Sequence, residues 1–487
     1  MPEVDNDHLR WSAIDQLAAL QRSEFSSVEL LADVRERRAV VDPVINAVVA
    51  TDFAAAEAAA EASDRRRAAG ISPRPLEGLP VVVKDLEDTA GLRTTYGSTL
   101  HADHTPERDS LVVERLRAAG AIVYGKSNTP EFGTGSHTYN RVYGTTTNPY
   151  APERSAGGSS GGAAAALAMG LSSVADGSDM GGSLRNPASF CNVVGLRPTA
   201  GRVPNWPVTD AWETLATNGP MGRTVDDTAL LFSVLSGGDP RSPFAADAPV
   251  PAAIPDRTEG LRVGWSRTLG GLEIQPEITA VLDRDGRETL TALGHAVHDV
   301  EPPLADADRP FRVLRGLIYA RSFGSLLEQH GDVLSPELVR NTEDGLRLTL
   351  EDYLSAREQR TRVYASMVDL FRGIDILAAP VSTVVPFPAE QIWPREVNGV
   401  AQADYLDWMR ASWRVSLVGF PAISLPCGFT DDGLPIGVQL IAAPGREELL
   451  LSVARQFEQA RPVWRERPRV LIEHSASSAR QQETEGL

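Results

Sequence analysis

Two short β-branched runs with a helical segment between them constrain this chain more than any other feature. Residues 79–85 read LPVVVKD and residues 120–126 read GAIVYGK, each built on a continuous apolar stretch too short for a helix. Between them SLVVERLRAAG opens on Ser110 and stops at Gly120, the pattern of a capped helix. Strands apolar on both faces are buried on both sides, and a strand–helix–strand crossover pairs them in parallel. The first run ends on Lys84.

The same rhythm continues elsewhere. Residues 12–70 read as helical, with Ser26 and Ser27 as caps of SSVELLADVRERRAVV and the strong helix formers of AAAEAAAEASDRRRAA following. GGAAAALAMGL reads as a helix and LSSVADGSDMGGS as a strand running into a turn. Residues 255–375 read as strand, helix, strand and then several helices. DILAAPVS, FPAISLPCGF and LPIGVQLIAAP read as three more strands, the last two joined by a DDG turn. The Gly/Ser/Thr-rich stretch from Gly133 to Gly162 is too long for an ordinary connection, and long loops inside compact domains are usually functional. No internal repeat and no separating linker is visible.

Composition excludes several classes. A net charge of −18 over 487 residues leaves no basic stripe for a nucleic acid. The first residues, MPEVDNDHLR, are acidic and polar where a secretory signal needs a positive start and an apolar run. No apolar run approaches the roughly 18 residues that span a bilayer, so no membrane partner is expected. Cys191 and Cys427 are the only cysteines, too few for a disulfide framework, and a reducing cytoplasm is the expected home.

One bias is informative. Of the 47 basic residues only Lys84 and Lys126 are lysines. Arginine serves wherever a positive charge suffices, but it cannot release its proton. A lysine kept against this background is a candidate base, Lys84 above all; Lys126, after a strand in GKSN, reads as structural.

The candidate chemistry lies in two glycine–serine clusters. In GSDMGGS two glycines precede Ser183, where a backbone without Cβ atoms turns sharply and aims N–H groups at a ligand. GGSSGG at 157–162 opens a predicted helix, whose N-terminus favours developing negative charge. Such clusters are also found in ordinary loops, and GGSSGG would suit a phosphate. It lacks the G-x-x-x-x-G-K-[ST] spacing, however, and Lys126 precedes it. The G-x-S-x-G elbow is absent because Arg185 stands where its last glycine belongs. An S-x-x-K pair is missing too: Val81 and Val123 stand three residues before the lysines.

Taken in order, LPVVVKD, GGSSGG and GSDMGGSLRNPASF resemble the amidase signature family. By this resemblance Lys84 matches the family's lysine, Ser159 its bridging serine in a cis peptide, and Ser183 its acylated serine; 75 residues separate the first pair and 24 the second. The segments NAVVATD, GAIVYGKSNTPEFG, NGPMGRTVDDTALL, GFPAISLPCG and GLPIGVQL extend the similarity over residues 10–465, weakest over 255–415. It implies an α/β fold, a single large α/β/α sandwich around a mixed, mostly parallel twisted sheet. Residues 1–70 would form an N-terminal helical segment packed on the core, 71–250 the signature core, and 251–415 a variable helical region bearing on substrate. Residues 416–470 would complete the sheet, and 471–487 would form a polar tail.

The implied chemistry is amide hydrolysis through an acyl-enzyme. A buried Lys84 loses its proton because desolvation disfavours the ammonium. It draws a proton from Ser159, which draws one from Ser183 as that oxygen attacks the carbonyl. Backbone amides of Met180, Gly181, Gly182 and Ser183 are the expected oxyanion hole. Asp179 and Arg185 are expected to tie down the turn, with Ser178 bonding either Ser159 or backbone. Gly133, Thr134, Gly135 and Ser136 are expected to line the acyl pocket. Cys191 and Cys427 read as small core residues, and the histidine pairs His101/His104 and His295/His298 lack a third ligand, so neither metal nor cofactor is expected.

By the same resemblance, aryl, cyclic or oligomeric amides are the expected substrates, with carbamates, urethanes and esters within reach. A homodimer is compatible with the sequence. The alternative is the glutaminase component of a glutamyl-tRNA amidotransferase, its A subunit, which would need a partner; a non-catalytic scaffold and a metal-dependent hydrolase are the remaining rivals.

Overall fold

A valine run without a polar face is satisfied only inside a sheet, and residues 80–84 lie there. The computed structural model describes residues 7–245, 250–254 and 258–472. Eleven strands form one sheet: β1 (Val48–Thr51), β2 (Pro80–Lys84), β3 (Ile122–Ser127), β4 (Val174–Asp179), β5 (Val194–Arg197), β6 (Thr217–Gly222), β7 (Arg262–Trp265), β8 (Ala296–Asp299), β9 (Ile376–Pro380), β10 (Ala422–Phe429) and β11 (Pro435–Ile441). Their spatial order is β1-β3-β2-β4-β6-β5-β10-β11-β9-β7-β8. Every residue of β2, β9 and β11 is buried, because helices cover both faces.

The sheet is mixed, as expected, but it is not mostly parallel. The triplets β3-β2-β4 and β9-β7-β8 are parallel, whereas the six remaining neighbour pairings are antiparallel. One of these pairings is dictated by a short connection. The turn Thr430–Leu434 closes β10 onto β11 as a hairpin, with Thr430 N donating to Leu434 O at 3.0 Å, and a hairpin permits only antiparallel pairing.

The N-terminal region is not helical throughout. Helices Ser27–Ile45 and Phe53–Ala68 flank β1, which adds an antiparallel edge beside β3. Ser26 caps the first of them in a capping box with Glu29, and Leu30, Leu31, Val34, Val41 and Ile45 bury its inner face in the core. The 255–375 region carries β7 and β8, then the long helices Asp308–His330, Pro336–Leu346 and Leu350–Leu370. Most of the polar tail expected at 471–487 lies outside the described residues. No helix among the described residues is long and apolar enough to cross a membrane.

Candidate active site

β2 and β4 run side by side in parallel, with Val82 opposite Ala175, so their C-terminal ends open on the same edge of the sheet. Ligands of α/β sheets bind outside such ends. β2 delivers Lys84 there; β4 delivers Ser178 and Asp179 and runs directly into Met180–Ser183. The helix Gly161–Ala168 brings the third component, with Ser159 and Ser160 at its start. Its double glycine has a packing reason: a Cβ on Gly162 would lie 2.2 Å from Asn128 N, just beyond β3. Only glycine lets the helix start so close to the strand end.

Lys84 is 1% exposed. Its Nζ lies 2.9 Å from Ser159 Oγ, 2.8 Å from Ser160 Oγ and 3.1 Å from Ser178 Oγ. Burial lowers its pKa from 10.5 to about 7, against the nearby charges of Asp176, Glu87 and Asp179, which raise it. Three hydroxyls serve both protonation states. An ammonium donates to all three; a neutral amine donates to two and accepts from the third. The peptide bond Gly158–Ser159 is cis.

Ser183 and Ser159 line one cavity of about 570 Å3, together with Ser178, Met180 and Gly181. The turn between β4 and Ser183 hangs on Asp179. Its carboxylate accepts from Gly182 N at 2.9 Å and Leu184 N at 3.3 Å. It also accepts from Arg185 Nε at 3.0 Å and Nη2 at 2.9 Å, with Arg197 Nη1 at 3.3 Å. Burial alone would raise the Asp179 pKa, but Arg185, Arg197 and these hydrogen bonds hold it well below the usual carboxylate range. Arg185 is itself anchored by Gln439 Oε1 at 2.6 Å and Ser412 O at 2.9 Å.

Several expected residues sit differently. The amide of Gly182 is engaged by Asp179, so it is not a free oxyanion donor. Among the described residues, the amides of Met180, Gly181 and Ser183 have no protein acceptor. Gly182 is needed for its backbone: φ is +111°, and a Cβ would meet Ser412 Cβ at 2.4 Å. Gly133 and Gly135 line the cavity. Thr134 does not; it lies behind the wall, its Oγ1 2.9 Å from Tyr319 OH. Ser136 Oγ accepts from Trp408 Nε1 at 3.0 Å. Lys126 is buried away from the serines, bonding Glu87 O and, at 2.9 Å, Thr89 Oγ1.

Sequence reasoning missed Ser160, although the second serine of GGSSGG was in plain view. It also missed Glu87, Arg315, Tyr319 and Tyr405 on the cavity wall. Glu87 accepts from Asn218 Nδ2 at 3.0 Å, and burial, with the neighbouring Asp176 charge, pushes its pKa up to about 7. Both cysteines are buried with thiols pushed above their ordinary pKa by desolvation. Among the described residues no three His, Cys, Asp or Glu side chains converge as a metal site.

The site thus joins a buried lysine amine bonded to one serine with a second serine on the same cavity after a glycine turn. The chain belongs to the amidase family, enzymes acting on carbon–nitrogen bonds: the family model matches residues 29–451. Among its relatives, the acylamidase of Rhodococcus erythropolis is 35% identical, over 94% of this chain and 97% of that protein. The A subunit of the glutamyl-tRNA(Gln) amidotransferase of Synechococcus sp. (strain RCC307) is 36% identical, over 92% and 97%. Among solved structures, 6-aminohexanoate cyclic dimer hydrolase complexed with substrate superposes with a TM-score of 0.85 at 31% identity, covering 96% of this chain and all of that one. A bacterial aryl acylamidase of the amidase signature family gives a TM-score of 0.86 at 26% identity, covering 93% and 96%.

Proposed function

We propose that this chain hydrolyses amide bonds through an acyl-enzyme on Ser183, with Ser159 as the bridging hydroxyl and Lys84 as the base. The observation that carries the reading is the contact of a buried Lys84 Nζ with Ser159 Oγ at 2.9 Å. In the free enzyme near neutral pH a large share of Lys84 is amine. As Ser183 Oγ bonds to the carbonyl carbon, its proton passes to Ser159 Oγ while the proton of Ser159 passes to Lys84 Nζ. The carbonyl oxygen becomes an oxyanion, held by the free amides of Met180, Gly181 and Ser183. The relay then reverses. Lys84 returns a proton through Ser159 to the leaving nitrogen, which departs as a neutral amine or ammonia. Water, deprotonated by the same relay, attacks the acyl-enzyme and releases the carboxylate. No cofactor enters this cycle.

Aryl, cyclic or oligomeric amides are the substrates this reading favours, and carbamates or esters fit the same acyl chemistry. Support comes from the similarity to an acylamidase, an aryl acylamidase and a cyclic dimer hydrolase and from a cavity lined by Phe132, Phe311, Tyr319 and Tyr405. The test is an assay of the purified chain on aryl amides, with labelling by a fluorophosphonate probe. Turnover and labelling are expected, both lost in Ser183→Ala. Labelling that persists in that variant would remove Ser183 as the nucleophile.

A second reading, the glutaminase component of an amidotransferase working beside a partner, is favoured by the 35–37% identity to several such proteins. It predicts a chain sluggish on aryl amides alone and co-purifying with other chains. Ready cleavage of an aryl amide by the isolated chain would exclude it.

A further inference from the structure

Among the described residues that line the candidate cavity one side chain is basic, and it has no counter-ion among them. Arg315 stands on the helix Asp308–His330 and is 6% exposed. Its Nη2 donates to Tyr319 OH at 2.7 Å and to Tyr405 OH; its Nη1 lies 3.2 Å from Met180 Sδ, and its Nε has no partner. Its Cζ sits 4.0 Å over the Tyr319 ring. None of these partners is charged at neutral pH. Burial raises the pKa of Tyr405 above its ordinary value, so that phenol keeps its proton.

Acidic groups around Arg315 have other partners: on a second cavity that it lines, Glu337 accepts from Tyr139 OH at 3.0 Å and Asp344 pairs with Arg347. Asp404 and Asp407 pair with Arg312, at 2.7 Å and 2.6 Å. Among the described residues no carboxylate lies within ion-pair distance of Arg315. A guanidinium taken out of water with only hydroxyl, thioether and ring contacts is poorly compensated, since buried charges ordinarily find an opposite charge. The acidic side chains of the same cavity are Glu87 and Asp88, residues of the loop that follows β2. The cavity is therefore polarised, with a cation at the wall built by the helix Asp308–His330 and acid groups at the wall built by that loop.

We propose that Arg315 is a carboxylate-binding group, and that the substrates of this site are amides bearing a free carboxylate on an otherwise apolar body. Its place in substrate recognition rests on the amidase reading above; the anion site itself does not. One Nη1–H of the guanidinium is without an oxygen acceptor, and a carboxylate oxygen accepts such a charge-assisted hydrogen bond while supplying the opposite charge that the buried cation lacks. Phe311, Leu406 and Met409 on the same cavity cover the apolar remainder. Asp88 on the opposite wall disfavours the reversed pose, which would set carboxylate against carboxylate.

The test uses matched 4-nitroanilides whose acyl arm ends in a free carboxylate or in its methyl ester, such as glutaric acid mono-4-nitroanilide and the ester of it. Wild-type enzyme is expected to show kcat/KM at least tenfold higher for the acid, and Arg315→Gln to bring the acid-to-ester ratio to about one. Arg315→Lys should keep part of the preference. Binding is read separately in Ser183→Ala by calorimetry with the acid anilide, and should be lost in Ser183→Ala/Arg315→Gln. A wild-type ratio near one, or a ratio unchanged in Arg315→Gln, overturns the proposal. Should Arg315→Gln fail to fold, the wild-type ratio and the Arg315→Lys ratio decide the matter alone. Binding that depends on Arg315 without turnover of either anilide supports the anion site and removes the amidase reading instead.

Discussion

Replacing Lys84 by methionine should abolish activity and change stability in a way that depends on pH. The fall of the Lys84 pKa from 10.5 to about 7 means that burial costs the ammonium form on the order of 5 kcal/mol relative to the amine. The sign follows from linkage. Between pH 7 and 10.5 the unfolded chain holds the Lys84 proton and the folded chain does not, so wild-type stability rises with pH across that window. Below pH 7 the penalty is present in full; above 10.5 it is gone. Methionine carries no proton and has a similar length, so the variant escapes the penalty but strands three hydroxyls, at about 1 kcal/mol each. The variant is therefore expected to be slightly more stable than wild type at pH 7 and less stable at pH 9.5. The difference should change by about 1.4 kcal/mol per pH unit. An unfolding entropy of roughly 1 kcal/mol/K for a chain of this length turns that into about 1 °C per pH unit in relative Tm. Paired thermal melts of variant and wild type from pH 6 to pH 9.5 measure it, and other titrating groups largely cancel in the difference. A Tm difference that stays flat from pH 7 to pH 9.5 would show that Lys84 ionises in the folded protein as it does in the unfolded chain.

The same pKa sets the acid limb of kcat/KM: with amine as the active form, the rate should fall about tenfold per pH unit below pH 7, and a limb centred near pH 4 would refute Lys84 as the base. Lys84→Arg should lose on the order of 1000-fold in kcat/KM although the charge is kept, since guanidinium cannot release its proton; near-normal turnover would sink the relay. Ser160→Ala removes one of the three partners of the amine and should lower kcat roughly 10-fold, about the loss of one hydrogen bond, while KM stays put. Gly182→Ala should lose about 1–3 kcal/mol from its positive φ alone, with more from the contact with Ser412, and chemical denaturation of the purified variant would show it.

How much of this was legible depended on the range of the interaction. Lys84 announced itself as a polar end to a valine run in a chain with almost no lysine, and Ser183 as a hydroxyl behind two glycines; both signals are local. β6 was hidden because TNGPMG is rich in Gly and Pro, which strands avoid. It is small for a packing reason, since a Cβ on Gly219 would lie 2.3 Å from Leu196 O. β1 was absorbed into the helices that flank it. Arg315 could not have been found from the sequence, one arginine among 45, because its meaning is the absence of a carboxylate around it after 135 residues of chain have returned to Met180. Thr134 and the Gly182 amide failed for a related reason: a motif gives residues, whereas the facing of a side chain or the partner of an N–H is set by distant elements.

The arginines around Asp179 resolve a conflict built into the site. The turn before Ser183 needs an acceptor for the amides of Gly182 and Leu184, and a carboxylate accepts both. A carboxylate so near Lys84, however, favours the ammonium and works against a base. Arg185 and Arg197 both pair with Asp179, so its oxygens remain ionised acceptors while the opposite charges of the two arginines offset part of its field at the amine. Guanidinium suits this task because its charge is permanent and its planar fork engages both carboxylate oxygens. Lysine in that position could itself be deprotonated by burial, as Lys84 is. Around Ser183 the two cations therefore divide the work: arginine on Asp179, where a proton must stay, and Lys84 beside Ser159, where it must leave.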